Sequence, residues 1–383
     1  MTTLRGPQAY GAAARAEWPL DPAVAYLNHG GYGVTPKAVL AAQAELRRRI
    51  EANPMHFMTR ELPAAWRAAA AALATHLGAR GEDVVFVANA TEGCNAVLRS
   101  LDFRPGEEIL VTNLAYGAIA KAARYVARRS GATLVEAQIP LPLPDTAAAI
   151  AAVAARLGPR TRLAVFDHIA SSSALVLPVA ELARLAHAAG ARVLIDGAHA
   201  PGQVPLDLLA TGADWYVGNC HKWLMAPRGC GFLWAPAALQ AALHPLAISH
   251  GYGAGFLAEF DWTGTRDPTP FLCVPAGIAC HASCGGSALM ARNRLLALDG
   301  ARLLAARWST ALGGPPDAFA AMVTVRLPLA ETTPEAGLAL QHRLADAHRI
   351  EAAIVAQAGS LWVRVAAQAY NELADYERLA AVL

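Results

Sequence analysis

Lys222 sits in the run Gly218-Asn-Cys-His-Lys-Trp, just past a short strand-like stretch of aromatic and β-branched residues at 215–217. A lysine flanked by Trp and Cys at a strand end is poorly solvated, which lowers the pKa of its amine and favours imine formation. Asp196 closes the apolar run Ala191-Arg-Val-Leu-Ile-Asp. A carboxylate there loses hydration and needs a cationic partner, and a protonated pyridine nitrogen is one. Ala90-Thr91-Glu92-Gly93 lies between a strand at 84–87 and a helix, where a hydroxyl and backbone N–H groups form a phosphate site. Each signal alone has an ordinary explanation: a helix N-cap, a surface lysine, a capping motif. Together, in this order and at strand ends, they point to pyridoxal 5′-phosphate (PLP) held as a Schiff base on Lys222. Asp196 would keep the ring nitrogen protonated, so that the ring accepts electrons from a carbanion.

The elements that must position these residues are legible as a pattern. Short apolar strands at 84–87, 108–112, 133–137, 163–167, 192–196, 215–217 and 231–234 alternate with helical stretches at 92–100, 117–130, 146–157 and 179–189. Such alternation predicts an α/β domain on a mostly parallel sheet, which binds ligands at the carboxyl ends of its strands. Beyond about residue 240 the pattern changes to a loop rich in Gly, aromatics and Pro at 250–275 and a helix at 276–298. Strands near 321–327 and 361–365 and helices near 333–348 and 374–383 complete a smaller α+β domain. The expected division is an N-terminal segment (1–33) packing on the small domain and the site, a large PLP-binding domain (34–245), and a small domain (246–383) that includes an interface loop. The 26–33 stretch is too glycine-rich to predict a helix.

Composition narrows the function classes. The 383 residues are 55% hydrophobic and 16% charged, enough for a sizeable core. A formal charge of +2 supplies no strong field for nucleic acid. The clusters Arg47-Arg48-Arg49 and Arg128-Arg129 lack interleaved aromatics and read as solvated helix faces. No cysteine pair has CxxC spacing and the twelve histidines include no HExxH, so no metal site is expected. The six cysteines read as small buried hydrophobes in a reducing compartment. Residues 1–20 lack an apolar secretory core and no stretch is long and apolar enough for a bilayer, so the expected location is the cytoplasm, with no membrane partner.

Five stretches carry a resemblance: Tyr26-Leu-Asn-His-Gly-Gly-Tyr-Gly, Asn89-Ala-Thr-Glu-Gly-Cys-Asn, Leu194-Ile-Asp-Gly-Ala-His-Ala-Pro-Gly-Gln, Asn219-Cys-His-Lys-Trp and Trp362-Val-Arg-Val-Ala-Ala-Gln-Ala-Tyr-Asn. They span nearly the whole chain, which resembles the class V aminotransferase group of fold-type I PLP-dependent enzymes. That group includes cysteine desulfurases, C–S lyases and isopenicillin N epimerase. The opening and closing stretches resemble the epimerase-like branch. The resemblance implies that Lys222 anchors the cofactor, Asp196 meets the pyridine nitrogen, His199 bonds the ring's phenolic oxygen and Tyr116 stacks on the ring. Ala90, Thr91, Asn219 and His221 match phosphate-side positions, with Ala90 departing from the frequent Thr. Ser171 sits where a ring-contacting polar residue is common. Thr265, in Trp262-Thr-Gly-Thr-Arg, resembles a threonine that reaches a phosphate across a dimer interface, implying a homodimer with shared active sites. Arg364 matches the clamp on a substrate carboxylate, a geometry suited to its guanidinium fork. Asn28 resembles a substrate contact, and His29 beside it is a substrate-side candidate, although a loop hydrogen bond competes.

The resemblance further implies an amino-acid substrate, an external aldimine and α-proton abstraction by Lys222. Isopenicillin N epimerase-like epimerisation comes first, ahead of a cysteine desulfhydrase-like β-eliminating C–S lyase and of transamination. Persulfide-forming desulfuration is disfavoured, because no cysteine follows Cys284. Two rivals stand apart. One is a catalytically silent PLP-binding protein, which would have little need for Lys222, Asp196 and Arg364 together. The other is a nicotinamide-dependent dehydrogenase, for which His29-Gly-Gly-Tyr-Gly is a weak lead outside a strand-turn-helix unit.

Overall fold

The computed structural model describes residues 9–383. A two-residue strand, β1 (Ala25–Tyr26), leads into one helical turn, α1 (His29–Tyr32), and two long helices, α2 (Lys37–Ala52) and α3 (Leu62–His76). Strand and helix then alternate: β2 (Val84–Val87), α4 (Ala90–Ser100), β3 (Glu108–Thr112), α5 (Gly117–Ser130), β4 (Thr133–Ala137), α6 (Thr146–Ala154), β5 (Thr161–Asp167), α7 (Val179–Ala188), β6 (Arg192–Gly197), β7 (Trp215–Asn219) and β8 (Gly231–Trp234). The chain continues through α8 (Phe256–Asp261), α9 (Thr269–Leu272), α10 (Val274–Ser283) and α11 (Ser287–Trp308). It ends with β9 (Met322–Arg326), α12 (Pro334–His348), β10 (Ile350–Glu351), β11 (Ala353–Gln357), β12 (Ser360–Ala366) and α13 (Leu373–Ala380).

The seven-stranded sheet has the order β2-β8-β7-β6-β5-β3-β4. Only β8 is reversed; it pairs antiparallel with both β2 and β7, while the remaining neighbours pair parallel. Alternate residues of each strand feed two core layers. Val85, Ile109, Val165, Leu194 and Val217 pack under α4 and α5, while Phe86, Leu110, Phe166, Ile195 and Tyr216 pack on the opposite face with α3 and α7. Burial on both faces is why these strands read as continuous apolar runs. A second, antiparallel sheet, β11-β12-β9, is covered by α11 and α12. β1 pairs parallel with β10, aligning Ala25 with Ile350, so the N-terminal segment is tied to the C-terminal third.

Three local expectations change. The glycine-rich stretch after Asn28 does form a helical turn, since Gly31 N–H donates to Asn28 O and Gly33 N–H to His29 O. The helix expected over 276–298 is two helices, because Gly285 and Gly286 adopt φ +113° and +55° and break the ladder. The stretch expected as a loop at 250–275 holds α8 and α9. There α8 packs on β2, and α9 and α10 pack against α2 and α3, so this segment lies on the seven-stranded sheet's side of the molecule. No single helix among the described residues is long and apolar enough to cross a membrane.

Candidate active site

The carboxyl ends of β2, β5, β6 and β7 open on one cavity of about 480 Å³, within the usual range for a small-molecule site. β6 delivers Asp196, β7 delivers Asn219, and the turn after β7 delivers His221 and Lys222. Tyr116 stands at the N-terminus of α5, and the first turn of α4 brings Ala90 and Thr91. That turn is held from both sides. Asn89 caps it by accepting from Glu92 N–H (3.0 Å), Glu92 accepts from Ala88 N–H (2.6 Å), and Ala90 N–H donates to Asn219 Oδ1 (2.8 Å).

Lys222 Nζ lies 3.1 Å from His199 Nε2. Burial, followed by the Arg364 charge, lowers the amine to about 7, with Asp196 pulling the other way. Burial pushes Asp196 above the usual carboxylate range, opposed by the Ala198 N–H that it accepts (3.0 Å) and by Lys222. His199 falls well below its ordinary value through burial and then the Lys222 charge, so its ring is neutral; its Nδ1 is buried with no partner. Arg364 is 5% exposed and has no carboxylate partner among the described residues. Its Nη2 donates to Asn28 Oδ1 (2.9 Å) and its Nη1 to the backbone oxygen of Ser171, while Nε is buried and unpaired. Burial lowers this guanidinium to about 10.

Nine predicted positions therefore line the cavity together: Ala90, Thr91, Tyr116, Ser171, Asp196, His199, Asn219, His221 and Lys222. Asn28 and Arg364 do not line it; Arg364 is joined to it through Ser171, whose backbone oxygen it bonds, and Asn28 through Arg364. His29 is not brought into the cavity. It is fully buried, with Nδ1 2.9 Å from the Tyr370 hydroxyl and Nε2 3.1 Å from Lys222 O, and burial lowers it to about 4. Thr265 is exposed and outside the cavity of its own chain. Sequence reasoning missed Asp167, Tyr32 and Arg228, which also line it. Asp167 carries a signal that was available, since it closes an apolar strand just as Asp196 does.

The profile of the family described as "Aminotransferase class-V" matches residues 25–261. Isopenicillin N epimerase from Streptomyces clavuligerus is 36% identical over 97% of this chain and 96% of its own length. Putative L-cysteine desulfhydrase 1 from Oryza sativa subsp. japonica is 35% identical over 96% of this chain and 84% of its own length. The chain belongs to the class V aminotransferase family. Solved structures agree on the fold. A cysteine desulfurase from Thermococcus onnurineus NA1 superposes with TM-score 0.82 at 21% identity, covering 100% of this chain and 98% of that one. The cystine C–S lyase C-DES superposes with TM-score 0.80 at 23% identity, covering 94% and 97%. The architecture is that of the fold-type I PLP enzymes, and the chain is a PLP-dependent enzyme.

The residues present fit that cofactor. Among the described residues, Asp196 is a buried acid with no cationic side chain at ion-pair distance and His199 has an unpaired buried nitrogen, while Lys222 offers a weakly basic amine. Buried polar groups left without partners carry a desolvation penalty that a ligand of matching chemistry removes.

Proposed function

We propose that the protein epimerises the α-carbon of an amino acid or amino-acid-derived substrate. The observation that carries this is the juxtaposition of a weakly basic Lys222 amine with a buried, acid-free Arg364 clamp beside one cavity. PLP, when bound, supplies an electron sink for a carbanion at the substrate's α-carbon. Lys222 would anchor the cofactor through Nζ and, once released, take the α-proton at that atom. Asp196 would face the ring nitrogen, neutral His199 the phenolic oxygen, and Thr91 with Asn219 and His221 the phosphate. Arg364, its plane set by Asn28 and Ser171, would bind the α-carboxylate by its remaining N–H groups.

Inversion needs a second proton donor on the face opposite Lys222. His29 is unsuited, because protein atoms engage both of its ring nitrogens. Tyr116, 47% exposed at the cavity mouth, is the candidate. Similarity to isopenicillin N epimerase along almost the full chain supports this reading.

A β-eliminating C–S lyase is the second reading, supported by the desulfhydrase relatives. Persulfide transfer through a protein cysteine is disfavoured, since all six cysteines are buried and none lines the cavity.

The deciding experiment incubates the PLP-loaded enzyme in D2O with single enantiomers of amino acids, including cysteine. α-Proton exchange and chirality are followed by NMR and chiral chromatography, and sulfide is measured in parallel. Accumulation of the opposite enantiomer from either hand is the expected result. Sulfide release from L-cysteine without any inversion overturns epimerisation in favour of elimination. In Tyr116→Phe, retained α-exchange with lost inversion is expected; unchanged inversion removes Tyr116 from the role.

A further inference from the structure

Asp167 lines the cavity and has no part in the scheme above. It closes β5 as Asp196 closes β6, and the two are register partners on adjacent parallel strands. Residues two apart on a strand share a face. Leu163 and Val165 on β5 and Leu194 on β6 all pack in the layer under α4, so Asp167 and Asp196 both point to that side. Neighbouring strands run about 4.8 Å apart, which leaves the two carboxyl groups side by side. They are 4% and 3% exposed, and among the described residues neither forms an ion pair.

On that side Asp167 meets Asp196, its register partner on β6, and Cys94 of α4 packs in the same layer. Neither is a cation. Burial, then the charge of Asp196, pushes Asp167 well above the carboxylate range, whereas Asp196 has the Ala198 N–H and Lys222 to favour its ionised form. Two adjacent carboxyls in a water-poor site do not both ionise.

We propose that Asp167 and Asp196 form a carboxyl pair carrying a single negative charge, with the proton resident on Asp167, which acts as a positioning residue for Asp196. One negative charge matches the single positive charge of a protonated ring nitrogen. The functional part of this inference rests on Asp196 facing that nitrogen; the pair itself does not.

Infrared difference spectra between wild type and Asp167→Asn, taken at neutral pH on cofactor-free and PLP-loaded protein, test it. The expected difference is loss of a protonated-carboxyl C=O stretch that shifts in D2O, with ionised carboxylate bands unchanged. A difference made only of ionised carboxylate bands overturns the pair. Asp167→Asn keeps the charge and is expected to hold PLP within about threefold of wild type, against a loss of about tenfold or more in Asp167→Ala. Equal losses in Asn and Ala overturn the one-charge assignment. Should the Asn variant fail to fold, carbon-13 NMR of wild type labelled at aspartate decides: one protonated side-chain carboxyl at neutral pH is expected, and its absence overturns the proposal. Unchanged PLP affinity and absorption in Asp196→Asn would instead remove the ring-nitrogen assignment and leave the pair standing.

Discussion

Lys222 illustrates how burial sets reactivity at one residue. Its folded value of about 7 lies below the ordinary 10.5, so between those values the unfolded chain binds more protons than the folded one. Stability of the cofactor-free protein therefore gains from this group as pH rises from about 7 to 10.5, and the free amine predominates above about 7. Schiff-base formation by cofactor-free protein should accelerate as pH rises through about 7, which stopped-flow absorbance with added PLP measures. A rate that keeps rising up to the ordinary lysine range would show that the amine is not desolvated. Lys222→Ala should abolish the Schiff-base absorption band of the bound cofactor. Arg364 is argued on the same scale. Arg364→Lys keeps a charge but loses the fork that Asn28 and Ser171 orient, and kcat/KM should fall roughly 10- to 100-fold through KM. A fall in kcat alone would place Arg364 outside ground-state carboxylate binding.

At the scale of elements, the turn after α1 explains why this glycine-rich opening is needed. Gly33 has φ +68° and ψ 167°, a region essentially confined to glycine. A Cβ there would stand 2.0 Å from His221 O and 2.9 Å from Lys222 Cα. The segment thus presses directly on the backbone that carries Lys222, and His29 reinforces it through Lys222 O and Tyr370. Gly33→Ala should destabilise the fold by at least about 1–3 kcal/mol and weaken PLP retention, measured by thermal melts and by absorbance after dialysis. An unchanged melting temperature would mean that the close approach is absent. His29→Phe should act in the same way, lowering stability and cofactor retention rather than selectively removing inversion.

At the scale of the whole molecule, the cavity mouth carries exposed Tyr32 (73%) and Tyr116 (47%), and Ile248 (59%) and Tyr252 (65%) stand exposed on the loop before α8. Thr265 is exposed on the following loop, away from the cavity of its own chain. These features suit a second copy of the chain. Light scattering should give a dimer mass, and Thr265→Ala should lower PLP affinity without changing that mass. A monomer that binds PLP with wild-type affinity would refute the shared-site arrangement.

Lys222, Asp196 and Thr91 were legible without coordinates because local chemistry marks them: a charged or polar group at the end of an apolar strand needs a reason. The strands of the seven-stranded sheet were legible for the same cause, since burial on both faces leaves an unbroken apolar run. Asp167 carries the same mark at the end of its strand, but no neighbouring motif in the sequence gives it a partner. Asn28 and Arg364 stand 336 residues apart, and the resemblance, not spacing, joined them. What only the tertiary structure decided is which neighbours each group meets. It sealed His29 between Tyr370 and Lys222, split the helix at Gly285 and Gly286, and set Asp167 beside Asp196. Sequence thus determined the residue types and the periodicities that build a parallel sheet with chemistry at its carboxyl ends. Burial, unpaired charge and carboxyl coupling depend on contacts between distant segments, and those exist only after the chain has packed.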